Sequence, residues 1–253
     1  MHLTRVGFGA WAIGGGGWAY GWGAQDDTES IAAIRHAVES GINWIDTAAV
    51  YGLGHSEEMV AAALAGLPEA DRPYVFTKAG LVWDPADRSA EPRRAGAPAS
   101  LRAEVEASLR RLRVERIDLW QMHWPTEDGT ALEDYWQTFL DLKREGKIRA
   151  AGLSNHGVRQ MEAAESLGHV DAIQPPFSLI HRAAADDVLP WAREHSTGVI
   201  VYSPMASGGQ VDGWLPAASL HLKEDDLADI AAAIQATGAG TGPLAPPQSS
   251  QER

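Results

Sequence analysis

Hydrophobic and polar positions follow two alternating patterns along the chain. Short runs of apolar and β-branched residues, typical of buried strands, occur at residues 4–11, 42–48, 74–80, 117–123, 148–155, 170–177 and 198–205. Between them, apolar residues recur about every 3.6 positions, as in helices, at 28–40, 56–65, 100–113, 132–145, 158–167 and 184–194. Strands that alternate with helices and are apolar over most of their length predict a parallel sheet covered by helices.

The same pattern indicates the domain organisation. No long linker interrupts residues 1–237, so we predict a single α/β domain there, followed by a disordered-looking tail over 238–253. Two arrangements are compatible with the pattern, a doubly wound open sheet and a (β/α)8 barrel. The segment "GFGAWA" fits a dinucleotide-binding glycine pattern, but glycines and tryptophans follow it instead of a helix, so it does not indicate a Rossmann site.

Composition narrows the class of protein. The 253 residues carry a formal net charge of −13, which argues against a nucleic-acid or anionic-membrane surface. No cysteine is present, so disulfides, thiolate zinc sites and cysteine nucleophiles are excluded. The first residues lack the pattern of a signal peptide, and no run reaches the ~18 apolar residues of a membrane span. We expect a soluble cytoplasmic protein, whose oligomeric state the sequence does not indicate.

Polar side chains recur where the predicted strands end. Asp46, Lys78 and His123 end the second, third and fourth strands, and Tyr51 lies on the loop after the second. In a parallel barrel these ends meet on one face, where active sites lie. A buried Lys78 needs a partner, and Asp46 on the adjacent strand is the natural one. Lys78 would lower the pKa of Tyr51 and make it a proton donor near neutral pH. His123 would orient the same reacting oxygen.

Simpler explanations exist for each of these residues taken alone. A turn aspartate, a packed tyrosine, a lysine that reaches solvent and a satisfied core histidine are all common. Ser56 is predicted to be the N-cap of the next helix, with Glu57 and Glu58 at its positive end. Four such residues on three successive strand exits favour a functional site over separate structural roles.

Six sequence blocks, in this order, resemble those of the aldo-keto reductases: "DTAAVYGLGHSEE", "VFTKAG", "DLWQMHWP", "GLSN", "IQPPF" and "VIVYSPM". The similarity runs from Thr4 to Met205 and resumes near Val211. The resemblance implies a (β/α)8 TIM barrel with a catalytic tetrad of Asp46, Tyr51, Lys78 and His123. It also implies nicotinamide contacts through Ser154, Asn155, Gln174 and the ring of Tyr202, and pyrophosphate contacts through Ser203 and Met205.

The resemblance also implies a reaction, the reduction of an aldehyde or ketone by NADPH with Tyr51 as the general acid. NADH is not excluded, because the segment that reads the 2′-phosphate has no counterpart here. An apolar or aromatic substrate is expected, since five tryptophans lie in or near strand-exit loops: Trp11, Trp18, Trp22, Trp83 and Trp124. Some of these could instead only cover the barrel rim. A basic cluster in the loop after the third strand would approach an anionic group or remain solvated: Arg88, Arg93 and Arg94.

Two other functions are weighed against this one. The chain could be a non-catalytic, cofactor-binding subunit of a larger assembly, although the intact tetrad argues against that. It could also be a metal-dependent barrel hydrolase that uses Asp46, His55 and His123. These residues lack the close spacing of metal ligands, so we expect no metal site.

Only seven strands are evident in the sequence. The stretch "VIVYSPMASGGQ" runs directly into "VDGWLPAASLHLKEDDLADIAAAI", which resembles the segment after the eighth strand of the family. A strand–helix–strand unit needs ~30 residues, but only Gly209 and Gln210 lie between Gly208 and Val211, where the family has this unit. We predict a true internal deletion, with unbroken backbone across 208–211, an incompletely closed barrel and impaired activity. Omission of residues from the sequence is the alternative.

Overall fold

In the computed structural model, residues 1–205 and 215–242 are described, and within them seven strands form one parallel sheet. The strands lie in the sheet in chain order, and each pairs in parallel with the next. They are β1 (Phe8–Gly9), β2 (Trp44–Asp46), β3 (Tyr74–Ala79), β6 (Ile117–Met122), β7 (Ile148–Ser154), β8 (Ala172–Gln174) and β9 (Gly198–Val199). A separate antiparallel hairpin follows β3 and consists of β4 (Leu81–Val82) and β5 (Arg93–Arg94).

Helices connect the strands. They are α1 (Asp27–Glu39), α2 (His55–Leu64), α3 (Pro98–Leu112), α4 (Leu132–Arg144), α5 (Val158–Leu167), α6 (Val188–Glu194) and, after β9, α7 (Glu224–Thr237). The helix α4 is an example of their amphipathic character. One side of it is buried and carries Tyr135, Trp136, Phe139 and Leu142. None of the helices in the described ranges is long and apolar enough to cross a membrane.

The apolar core has two layers. The larger layer lies between the sheet and the helices and includes Ile45, Trp120 and Trp136. The smaller layer takes one residue from each of six successive strands or strand extensions: Trp44, Phe76, Leu119, Ala150, Ala172 and Ile200. Because alternate side chains of a strand point to opposite faces, this second layer fills the concave side of a curled sheet.

This architecture confirms the predicted fold class, an α/β barrel of TIM type with seven strands evident among the described residues. The predicted positions of the strands and of most helices are confirmed, but some boundaries are wrong. The first strand is reduced to Phe8–Gly9, and the helix predicted at 184–194 begins only at Val188, after a 3-10 turn at Ala183–Ala185. The hairpin of β4 and β5 was not predicted.

Two predictions concern the end of the chain. The junction at 208–211 lies outside the described residues, so the predicted deletion stays a prediction. The first residues of the predicted tail are described, and they are hydrogen-bonded to the loop after β8. Thr241 N donates to Ile180 O at 3.0 Å, and Arg182 N donates to Thr241 O at 2.7 Å. The division into one domain and a tail likewise stays a prediction.

Candidate active site

The ends of β2, β3 and β6 bring the four predicted tetrad residues together. Lys78 is only 1% exposed, and its Nζ donates to Asp46 Oδ2 at 2.6 Å and to Tyr51 Oη at 3.5 Å. The third proton of the ammonium group goes to the backbone oxygen of Thr47 at 3.0 Å. The predicted contacts of Lys78 with Asp46 and Tyr51 are therefore present, and all three donors of the lysine are used.

Lys78 stays charged in this setting. Burial works against the ammonium, but attraction to Asp46 and Tyr51 outweighs it and raises the pKa of Lys78 above its ordinary value. A buried cation is tolerated here because a carboxylate and two further oxygens surround it.

The predicted lowering of the Tyr51 pKa is wrong. Burial of the phenol raises the pKa of Tyr51 more than the nearby charge of Lys78 lowers it, and Asp46 raises it further. The phenol therefore keeps its proton at neutral pH, as a proton donor must before the reaction begins. The charge of Lys78 still stabilises the phenolate, so it would assist at the moment when the phenol gives up its proton.

His123 lies beside the phenol, directly after β6. Its ring meets the ring of Tyr51 edge-on, with centroids 5.8 Å apart. Burial, with help from the charges of Lys78 and Arg94, holds the pKa of His123 well below its usual range. The imidazole is therefore neutral and carries one N–H that can donate a hydrogen bond. Its Nδ1 is buried and has no partner among the described residues.

The first turn of α2 forms the wall behind these residues. Ser56 is not the N-cap that was predicted, because the helix begins at His55 and its N-cap is Gly54, which has a φ of 103°. Ser56 is fully buried instead, and its Oγ donates to Ala10 O at 2.8 Å and lies 2.8 Å from Thr47 Oγ1. A glycine serves at position 54 because other residues rarely adopt this left-handed backbone.

Glu57, the next residue of α2, is also fully buried. Its Oε1 accepts from Thr77 Oγ1 at 2.6 Å, and its Oε2 accepts from Arg111 Nε on α3 at 2.6 Å. Sequence patterns gave no indication of this pair, since a glutamate in the first turn of a helix is usually exposed. Thr77 precedes Lys78 in β3, so Glu57 ties α2 and α3 to the strand that carries the buried lysine.

Three of the residues predicted to hold nicotinamide lie at the carboxyl ends of β7 and β8, and the fourth, Tyr202, follows β9. Ser154 Oγ donates to Gln174 O at 3.0 Å, and Asn155 Nδ2 donates to His123 O at 3.0 Å. Tyr202 Oη donates to Asn155 Oδ1 at 2.8 Å. Asn155 has a φ of 63°, which asparagine tolerates better than most residues. Farther along the chain, Ser203 has a φ of 53° and Met205 is 51% exposed.

A buried histidine that was not predicted supports this group. His156 is 6% exposed and lies between Ser154 O and Tyr135 Oη, each 2.8 Å from one of its ring nitrogens. The carbonyl of Ser154 can only accept, so His156 Nδ1 carries the proton and Nε2 accepts from Tyr135. The motif "GLSNH" held the only available signal, a histidine directly after the predicted cofactor residues.

Burial lowers the pKa of His156 to about 4, and this predicts an acid-dependent loss of stability. Because the pKa of His156 is lower in the folded than in the unfolded chain, the folded state binds this proton less readily. The neutral His156 contributes its full stability above about pH 6.5, and this stability is lost as pH falls from about 6.5 to about 4. The expected loss is about 3 kcal/mol in the free energy of unfolding. Urea unfolding of the wild type and of His156→Gln at pH 7 and pH 4 measures it. Equal pH dependence in both proteins would contradict the prediction.

Three of the five predicted tryptophans, Trp11, Trp18 and Trp83, pack in an aromatic cluster with Tyr51. Trp11 is stacked on Tyr51 with ring centroids 5.9 Å apart, and the exposed ring of Trp22 lies 5.5 Å from Trp11. Trp18 is buried, and the half-buried Trp83 packs in the same cluster. The fifth, Trp124, lies directly after His123 and carries the guanidinium of Arg94 over its ring at 4.6 Å.

The three arginines of the loop after β3 do not converge on one point. Arg88 donates to Gly52 O at 3.2 Å, next to Tyr51. Arg94 pairs with Glu127 at 2.6 Å, and Arg93 is exposed on β5. This arrangement lacks the cluster of unpaired cations that an anionic substrate would require.

The residues of the proposed hydrolase do not form a ligand set. His55, the first residue of α2, contacts Asp27 Oδ1 through its Nε2 at 2.9 Å, whereas Asp46 pairs with Lys78. Within the described ranges, no three His, Asp or Glu side chains are grouped so that they could hold a metal ion.

The curled parallel sheet, with polar side chains gathered where its strands end, defines an α/β barrel protein with its candidate site on one face. Comparison with known proteins gives the family. The sequence model of the Aldo/keto reductase family matches residues 5–224. The chain belongs to the aldo-keto reductase family.

Known relatives align with most of this chain. The aldo-keto reductase YhdN of Bacillus subtilis is 37% identical over 208 residues, which are 82% of this chain and 60% of the relative. The NADH-specific methylglyoxal reductase of Escherichia coli is 37% identical over 217 residues, 81% of this chain and 65% of the relative. The chain thus spans less than two thirds of the length of these relatives.

Solved structures give the same result. A glycerol dehydrogenase from Gluconobacter oxydans superposes with a TM-score of 0.74 at 35% identity, over 94% of this chain and 76% of that one. An aldo/keto reductase from Klebsiella pneumoniae, solved with NADP and acetate, superposes with a TM-score of 0.64 at 26% identity, over 92% of this chain and 72% of that one.

Proposed function

We propose that this chain is a nicotinamide-dependent oxidoreductase that reduces an aldehyde or ketone to the alcohol, with Tyr51 as the general acid. The observation that carries the proposal is the buried Lys78 ammonium, which lies between the Asp46 carboxylate and the Tyr51 phenol. A purely structural lysine has no need of a phenol as its third partner, whereas a proton donor needs a cation to stabilise its phenolate.

Each of the four residues has a distinct role in the proposed reaction. Tyr51 donates its proton to the carbonyl oxygen as negative charge develops there. Lys78 stabilises the phenolate that is left, and Asp46 keeps the lysine charged and in place. The neutral His123 donates a hydrogen bond to the same oxygen and orients it. Preorganised donors of this kind usually supply a large share of catalysis.

The donor set at the ends of β7 and β8 fits a nicotinamide group. Ser154 and Gln174 are buried and Asn155 is half-buried, so together they offer a hydroxyl and two amides, and Tyr202 offers an aromatic ring beside them. A carboxamide has one acceptor oxygen and two donor hydrogens, which such a set can match. When bound, the reduced nicotinamide supplies the hydride.

The cofactor we propose is NADPH, with NADH as the alternative to be tested. The Klebsiella pneumoniae aldo/keto reductase was solved with NADP, whereas the Escherichia coli relative is named as NADH-specific. For the substrate we propose a small carbonyl compound with an apolar or aromatic group. Trp11 and Trp22 support this, because both are partly exposed, Trp11 lies on the Tyr51 ring and Trp22 lies against Trp11.

Two measurements on the full chain test the function. Quenching of tryptophan fluorescence on titration with NADPH and NADH gives both dissociation constants. A panel of aliphatic, aromatic and α-dicarbonyl substrates, followed at 340 nm, gives turnover. Binding of either cofactor together with turnover supports the proposal. Binding without turnover on any carbonyl would instead identify a cofactor-binding subunit or an activity-impaired reductase.

Removing the amides is expected to weaken cofactor binding. Asn155→Gly suits the left-handed backbone at this position, and Gln174→Leu keeps the volume of the buried side chain. Each lost hydrogen bond is worth about 0.5–1.5 kcal/mol, so the double variant should bind NADPH roughly 5- to 150-fold more weakly. Gln137→Leu, on the exposed side of α4, is the matched control. Unchanged affinity in the double variant would refute the cofactor site.

A further inference from the structure

Thr47, the residue directly after β2, is held by three hydrogen bonds. Its N donates to Phe76 O at 2.9 Å, its O accepts from Lys78 Nζ at 3.0 Å, and its Oγ1 lies 2.8 Å from Ser56 Oγ. The side chains of Thr47 and Ser56 are both fully buried. Because solvent does not reach them, a lost partner leaves a buried polar group unpaired.

The direction of the bond between the two hydroxyls follows from counting protons. Ser56 Oγ donates its single proton to Ala10 O at 2.8 Å. The proton between the hydroxyls must therefore come from Thr47, and Ser56 Oγ accepts it. Ala10 directly follows β1 and Thr47 directly follows β2. The Ser56 hydroxyl thus joins the ends of two adjacent strands to the first turn of α2.

The contact between Lys78 and Tyr51 depends most on where Thr47 lies. Lys78 Nζ is 2.6 Å from Asp46 Oδ2 and 3.0 Å from Thr47 O, but 3.5 Å from Tyr51 Oη, at the outer limit of a hydrogen bond. Asp46 and Thr47 are consecutive, so a shift of the Thr47 peptide moves two partners of the ammonium together. The third and weakest contact is the first to be lost.

We propose that the hydroxyl pair of Thr47 and Ser56 is a positioning device that holds Lys78 within reach of Tyr51. Neither hydroxyl touches the reacting atoms, and both act through the Thr47 carbonyl. The inference rests on the proposed function, since it names what sets the strength of the Lys78–Tyr51 contact. A role in packing alone would change the stability of the protein and leave the titration of Tyr51 unaltered.

Two substitutions of Thr47 separate the hydroxyl from the shape of the side chain. Thr47→Val keeps the shape and removes the hydroxyl, whereas Thr47→Ser keeps the hydroxyl. We expect Thr47→Val to lower kcat roughly tenfold with an unchanged Kd for NADPH, and Thr47→Ser to remain near wild type. Burial raises the pKa of Tyr51 overall, but the charge of Lys78 acts in the opposite direction and lowers it. A weaker contact should therefore move the alkaline limb of the pH profile of kcat to higher pH in Thr47→Val and Ser56→Ala.

A buried threonine elsewhere gives the matched control. Thr138 Oγ1 donates to Asp134 O at 2.9 Å within α4, away from the strand exits. Thr138→Val is expected to change thermal stability without moving the pH profile. If Thr47→Val behaves like Thr138→Val, with wild-type kcat and pH profile, the positioning role is overturned.

Crystal structures of Thr47→Val and Thr47→Ser add a readout that needs no turnover. In Thr47→Val the Lys78 Nζ–Tyr51 Oη distance should exceed the 3.5 Å of the wild type, and in Thr47→Ser it should not. A wild-type chain that reduced no carbonyl would end the proposed function, while this distance would still decide the positioning role. An unchanged distance in Thr47→Val would overturn that role.

Discussion

Tyr51→Phe is expected to lower the kcat for carbonyl reduction by about 10²- to 10⁴-fold, which is the usual contribution of a general acid. The substitution removes only the hydroxyl, which lies 3.5 Å from Lys78 Nζ, and keeps the ring that stacks on Trp11. The Kd for NADPH should therefore change little. Steady-state kinetics and fluorescence titration of the same preparation give both values.

A second tyrosine supplies the control for this experiment. Tyr74 lies at the start of β3, at the opposite end of the strand from Lys78, and Arg149 lies over its ring. Tyr74→Phe should retain wild-type kcat, since its hydroxyl is far from the strand exits. If Tyr51→Phe also turns over at the wild-type rate, Tyr51 is not the acid. A parallel loss of affinity for NADPH would instead indicate a damaged cofactor site.

Glu57→Ala is expected to lower the free energy of unfolding by about 3–5 kcal/mol, the usual cost of breaking a buried ion pair. The substitution leaves Arg111, which is 19% exposed, without its carboxylate, and leaves the buried Thr77 hydroxyl without its acceptor. Glu57→Gln should lose less, because its amide oxygen can still accept one of these bonds. Urea unfolding of the three proteins at neutral pH measures the differences.

The exposed pair of Arg102 and Glu145 is the comparison for Glu57. Their side chains are 43% and 40% exposed and lie 2.9 Å apart. Solvent screens a surface pair, so Glu145→Ala should cost far less stability than Glu57→Ala. Similar losses in the two variants would show that the Glu57 pair adds no more than a surface pair does.

The positions of the polar residues at the strand ends could be predicted because the end of a strand is recognisable from the few residues around it. Lys78 ends a run of apolar residues, and Asp46 ends the neighbouring run, so a parallel sheet had to bring them together. The family blocks then indicated roles for Tyr51 and His123. The contact of Tyr51 with Lys78 and the contact between the rings of Tyr51 and His123 are both present in the structure.

The features that the sequence did not predict depend on distant parts of the chain. Ser56 and Glu57 lie in the first turn of a helix, where polar residues are usually exposed caps. Their buried hydrogen-bond partners are Ala10, directly after β1, and Arg111 of α3. The direction of the Tyr51 pKa shift is a balance between burial and charge, and only the packed structure determines which is larger.

The order of the strands also bears on how the polypeptide acquires its fold during synthesis. From β2 onward, each strand of the sheet pairs with the one that precedes it in the sheet and in the chain. A nascent chain can therefore add strands to one growing edge of the sheet as it leaves the ribosome. Each new strand pairs with a strand that is separated from it by only a short stretch of chain, so the entropy cost of bringing the two together is small. Folding of the early strands does not have to wait for β9, so the ends of β2, β3 and β6 can meet while the later part of the chain is still being made.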